Sequence, residues 1–88
     1  MIWDESKRRS NLAMHGLDFR DAGEVVDSRY RLDIAAVHGG EVRMQSISYA
    51  LGFLAVLHTE RDGATRVISF RHASNEEREV YDGWLQDE

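Results

Sequence analysis

The pattern of hydrophobic and polar positions changes period once along the chain, near residue 30. Before that point apolar residues recur at helical spacing. Asp4 is placed to cap a helix through Met14, with His15 in its last turn and Gly16 as a left-handed stop. Asp18 predicts the cap of a second helix, in which Phe19, Ala22 and Val26 make a narrow apolar stripe. Gly23 weakens that helix by about 1 kcal/mol relative to alanine and leaves its end undefined. From residue 30 the pattern is β-rich and punctuated by glycine. Strands are predicted at residues 30–37, 42–50, 53–60 and 65–71, separated by Gly39-Gly40, Leu51-Gly52 and Asp62-Gly63. Connections this short require an antiparallel meander, because a parallel crossover needs about a dozen residues or more. Phe53-Leu54-Ala55-Val56-Leu57 is apolar on both parities, which predicts a central strand covered on both sides or against a partner, and the best-buried member of the sheet. Ser74 and Glu77 form a capping box, and the helix it opens carries Val80, Tyr81, Trp84 and Leu85 on one stripe.

These elements make an α+β fold: two N-terminal helices, a four-stranded antiparallel meander and a C-terminal helix. Its 88 residues suit one domain, residues 1–88, with one core. With 42% hydrophobic and 31% charged residues, the chain has the balance of a folded globular domain. A chain of this size buries only roughly 60 to 65% of its unfolded surface, so a bound partner adds substantially to its stability. The absence of cysteine removes disulfides, thiolate metal sites and cysteine nucleophiles. Met1-Ile2-Trp3-Asp4-Glu5 is neither basic nor followed by a long apolar run, so a cytoplasmic location without a membrane partner is expected.

A formal charge of −5 weighs against a phosphate-binding surface. The acidity is concentrated late, in Glu76, Glu77, Glu79, Asp82, Asp87 and Glu88, which leaves Lys7-Arg8-Arg9 and Arg61, Arg66 and Arg71 free to form a local basic patch. An acidic surface also suits a basic protein partner, since complementary fields speed association.

Trp3-Asp4-Glu5, Lys7, Asn11, His15-Gly16, Phe19 and Ala22 resemble, in order and spacing, the opening of the BrnT toxins. Arg43 and Ile47, Leu57-His58-Thr59-Glu60-Arg61, Ile68-Ser69-Phe70-Arg71-His72-Ala73, Glu77-Arg78 and Tyr81 continue the resemblance over nearly the whole chain except the first strand. Met14, Ser48, Phe70 and His72 depart from the pattern, standing where that family commonly has lysine, glycine, a small residue, and lysine or arginine. The resemblance implies a RelE-like fold and the toxin of a type II toxin–antitoxin system, a ribonuclease that halts translation. It also implies neutralisation by a BrnA-like DNA-binding antitoxin in a heterotetramer, with operator DNA bound only through the antitoxin.

Metal-free RNA cleavage requires a base for the ribose 2′-hydroxyl, a cation at the scissile phosphate and an acid for the leaving 5′-oxygen, and needs no cofactor. The catalytic candidates are Arg71, His58, His72, Glu60 and Tyr81. Arg71 is the candidate phosphate ligand, because guanidinium stays charged and grips phosphate in a bidentate manner; the alternative is a salt bridge to Glu77. His58 and His72 are acid–base candidates because imidazole titrates near neutrality. Glu60 either orients a histidine or serves as base, the alternative being a strand-end carboxylate paired with Arg61 or Arg66. Lys7, Arg61, Arg66, Arg78 and His15 are the RNA-binding candidates; Lys7, Asn11 and His15 share one face of the first helix. No metal-ligand spacing occurs, so no metal site is expected. Two readings follow: an RNA-cleaving toxin, or a catalytically weakened interaction module of the same fold acting mainly as an antitoxin-binding co-repressor.

Overall fold

A computed structural model describes residues 1–49 and 52–87. Helix α1 spans Glu5–His15. The Asp4 carboxylate accepts from the Ser6 and Lys7 N–H groups, and Gly16 ends the helix at φ 70°. The expected second helix is divided. Asp18 caps it, accepting from the Arg20 N–H, but a 3-10 turn at Phe19–Asp21 gives way at Gly23 to a single turn, α2, over Gly23–Val26. Glycine has little helical preference, and the division falls where it sits.

Four strands follow, β1 (Leu32–His38), β2 (Glu41–Tyr49), β3 (Phe53–Arg61) and β4 (Ala64–His72), in one antiparallel sheet of order β1-β2-β3-β4. The predicted end of the second strand at Ala50, the turn residue Leu51 and the acidic Glu88 lie outside the described residues. At the third hairpin both central residues have positive φ, 53° for Asp62 and 80° for Gly63, the twist that two-residue hairpins favour.

Both faces of the sheet are covered in part. On one, Phe19, Ala22, Val25 and Val26 pack against Leu54, Val56, Val67 and Phe70, with Trp3 and Leu17 alongside. On the other, helix α3 (Asn75–Gln86) presses Tyr81 and Trp84 towards Ile47 and Ala55. Consecutive β3 residues therefore serve opposite cores, which accounts for its apolar character on both parities. Burying each large side chain stabilises by about 1.5–3 kcal/mol. The capping box at Ser74 and Glu77 is formed in both directions. Only half of the expected α3 stripe reaches the core, however, because Val80 and Leu85 remain exposed.

The two outer strands differ. Beside β4, Ile2 donates to the Thr65 carbonyl at 2.8 Å and accepts from the Val67 N–H at 2.9 Å, and α1 continues along the same edge. Among the described residues strand β1 pairs only with β2, and Val37 on it is 73% exposed. No helix among the described residues is long and apolar enough to cross a membrane.

Candidate functional site

The chemistry gathers where the two hairpins part. Register pairs between β2 and β3 run from Tyr49↔Phe53 to Met44↔His58; beyond them the strands are bridged by the Thr59 hydroxyl, which donates to the Val42 carbonyl at 3.0 Å. In the β3–β4 register Leu57 faces Ser69 and His58 faces Val67, so Ile68 is a bulge residue at the same level. The β2–β3 ladder ends here while the β3–β4 ladder runs on to Arg61↔Ala64, and Arg43 and Thr59 line hollows on both sides of the opening.

On the α2 side a cleft of about 450 Å³ has Arg31, Asp33, Arg43, His58 and Glu60 in its walls. His58 and Glu60, two residues apart on β3, share this face as their spacing predicts. His58 is only 8% exposed. Its Nε2 lies 2.8 Å from the Ser46 hydroxyl, which in turn donates to Asp33 Oδ1 at 2.5 Å. Its Nδ1 is buried and finds no hydrogen-bond partner among the described residues. Burial pushes the imidazole below its ordinary pKa, against the pull of the Asp33 and Glu60 carboxylates, which favours neutral imidazole. The Asp33 carboxylate also accepts from Arg31 Nε at 3.2 Å, and Glu60 accepts from the Thr65 hydroxyl at 2.8 Å.

On the other side, Lys7, Arg43, Arg61 and Arg66 surround a small hollow of about 70 Å³ with Glu41, Thr59 and Ile68. Glu41 is shared by Arg43 at 3.4 Å and Arg61 at 3.9 Å. Four cations thus meet one carboxylate, a positive island in an acidic chain.

His58, Glu60, Lys7, Arg61 and Arg66 are therefore brought to one end of the sheet, and the other five candidates are not. Arg71 stands opposite Ala55, on the α3 side. Its guanidinium makes a bidentate pair with Glu77, at 2.6 and 3.0 Å, and the Gln45 amide donates to the same carboxylate. His72 is exposed opposite Leu54, four β3 residues from His58, roughly 13 Å along the strand. Tyr81 is buried, its hydroxyl donating to the Tyr30 carbonyl at 2.8 Å. The Arg78 guanidinium lies 4.7 Å from the centroid of the Phe53 ring. His15, in the last turn of α1, lines neither hollow.

Arg31, Asp33, Arg43 and Ser46 were not among the sequence candidates. A signal existed for two of them. Asp33 interrupts an apolar strand, and Ser46 is a polar residue at an inward position. A larger groove of about 580 Å³, bordered by Tyr30, Tyr49, Phe53, Tyr81 and Leu85, has no cation in its lining and offers nothing to a phosphate. Among the described residues no group of three or more histidine, aspartate or glutamate side chains is disposed to hold a metal ion.

No curated protein matches the chain. The family model for BrnT, the ribonuclease toxin of a type II toxin–antitoxin system, matches residues 3–77. That span includes every residue of the cleft and the basic island, and by it the chain belongs to the BrnT family of ribonuclease toxins.

Proposed function

We propose that this chain is a metal-independent endoribonuclease whose RNA crosses the open end of the sheet, and that cleaving RNA there inhibits translation. The observation that carries this reading is the convergence of a histidine, two arginines and two carboxylates in one cleft beside a basic island. His58 Nδ1, which the bound RNA must first uncover, takes the proton of a ribose 2′-hydroxyl. The freed oxygen attacks the adjacent phosphorus, and the 5′-oxygen leaves with a proton taken from solvent water at the open side of the cleft. Arg43 and Arg31 neutralise the charge that accumulates on the phosphate oxygens. Asp33 and Glu60 stabilise the imidazolium once it forms. Lys7, Arg61 and Arg66 hold the neighbouring backbone phosphates. Arg71 belongs in this reading to the attachment of α3. A BrnA-like antitoxin, in a heterotetramer that carries the DNA-binding function, is the partner this family membership supports.

The test is cleavage of a single-stranded RNA by the purified chain in the presence of a chelator. The expected result is cleavage to products ending in 2′,3′-cyclic phosphate, slowed at least about 100-fold by Arg43→Ala and by His58→Asn. Wild-type rates in both variants would overturn the assignment. The burial of His58 favours the second reading, a weakened binding module, and harmless induction of the chain in bacteria with intact RNA would establish it.

A further inference from the structure

We propose that Ser46 and Asp33 are positioning residues for His58, holding its ring as the Nε2–H tautomer so that Nδ1 is the atom that receives the substrate proton. The role rests on the ribonuclease reading of the cleft. Asp33 and Ser46 are register partners on β1 and β2, and Ser46 faces Val56, two residues before His58 on β3. Three polar side chains on three adjacent strands thus form one line across the sheet, with contacts of 2.5 and 2.8 Å.

Counting protons fixes their direction. Ser46 has one hydroxyl proton, and the Asp33 carboxylate, which also accepts from Arg31, can only receive it. The serine oxygen then meets Nε2 with a lone pair, so Nε2 carries the hydrogen and Nδ1 is bare. A bare Nδ1 agrees with its lack of any partner among the described residues, and because that atom is also closed to solvent the ring must shift towards the cleft before it meets a substrate. When Nδ1 gains a proton the ring becomes a cation, and the line ends on a carboxylate that stabilises it. Arg31 just before β1, Asp33 from β1, Arg43 from β2 and Glu60 from β3 are the charged groups lining this cleft; Val67, opposite His58 on β4, brings none. A serine wholly enclosed in the sheet is otherwise an expensive choice, since an apolar residue would fill the position without needing two partners.

The test combines nitrogen NMR of the His58 ring with the pH dependence of RNA cleavage. In the wild-type chain at neutral pH, Nε2 should carry the proton and Nδ1 none. Ser46→Ala and Asp33→Asn should each give mixed tautomers and lower kcat about 10-fold or more at little change in KM. Asp33→Asn should also move the acid limb of the profile to lower pH, because a carboxylate that favours imidazolium is gone. Ser46→Thr, which keeps the hydroxyl, should restore the wild-type tautomer. A wild-type ring protonated on Nδ1 overturns the proposal, whether or not any variant folds. Inactivity of His58→Asn alongside wild-type rates and profiles in Ser46→Ala and Asp33→Asn overturns the positioning role alone. A wild-type rate in His58→Asn overturns the catalytic reading of His58, and this role with it.

Discussion

Asn11 holds Phe70 by both backbone groups. Its Nδ2 donates to the Phe70 carbonyl at 2.6 Å, and its Oδ1 accepts from the Phe70 N–H at 3.1 Å. A side-chain amide thereby completes the outer edge of β4 as a neighbouring strand would, and the same Nδ2 reaches the Leu17 carbonyl at 3.0 Å. Asn11→Ala should cost about 2–4 kcal/mol in urea denaturation, because it strands buried backbone groups. Asn11→Asp should cost at least as much at neutral pH, since it keeps the acceptor but sets a carboxylate against two carbonyls.

Glu77 links acid sensitivity to the seating of α3. The Arg71 guanidinium, with help from the Ser74 N–H, holds its carboxyl at about 2 against an ordinary 4.5. A depressed folded-state value means that the stabilisation is full above about pH 4.5 and is lost as pH falls from there towards 2. Glu77→Gln should lower stability at neutral pH and flatten the unfolding free energy across that window. Some slope should remain, because Glu5, hydrogen-bonded by Arg8, is also held at about 2.

The basic island should appear in the salt dependence of binding to an uncleavable 2′-O-methyl RNA. Each phosphate contact on a single strand contributes roughly 0.7 to the slope of log affinity against log salt. Replacing both Lys7 and Arg66 with alanine should therefore reduce the slope by about 1.4. Arg71→Ala should leave it unchanged, because that charge is already committed to Glu77; a reduced slope would place RNA on Arg71 as well.

Phe70 occupies a position where the family resembled commonly has a small residue, and here it is fully buried among Phe19, Val25 and Val56. Phe70→Ala should cost about 3–5 kcal/mol by thermal or chemical unfolding. A cost under about 1 kcal/mol would mean that the surrounding core collapses onto the gap.

What the sequence made legible was local. The Asp4 cap, the Gly16 stop, the Ser74–Glu77 box and the Asp62-Gly63 turn are encoded within a few residues, and each is where those residues predict. The Phe53–Leu57 run announced its double coverage through composition alone. Of the site, His58 and Glu60 were legible as strand neighbours. Their partners were not, because Asp33 and Ser46 reach His58 through the pairing of three strands, a register that no single segment contains. Arg71 left two readings open for the same reason: its chemistry suits a phosphate as well as Glu77, and only the tertiary position of Glu77 shows that the two are paired. The departures from the family pattern also separate in space. Ser48 and Phe70 are buried, with Ser48 donating to the Ser28 hydroxyl at 2.8 Å, whereas Met14 is 77% exposed and His72 lies at the surface.

With Ile2 and Asn11 sealing β4, the sheet can grow in one direction only. Any strand supplied from outside must arrive along Leu32–His38, the segment that also carries Asp33 towards the histidine cleft. Whatever lies down beside β1 thus becomes a neighbour of the Asp33–Ser46–His58 line, and an added strand and the cleft share a border one strand wide.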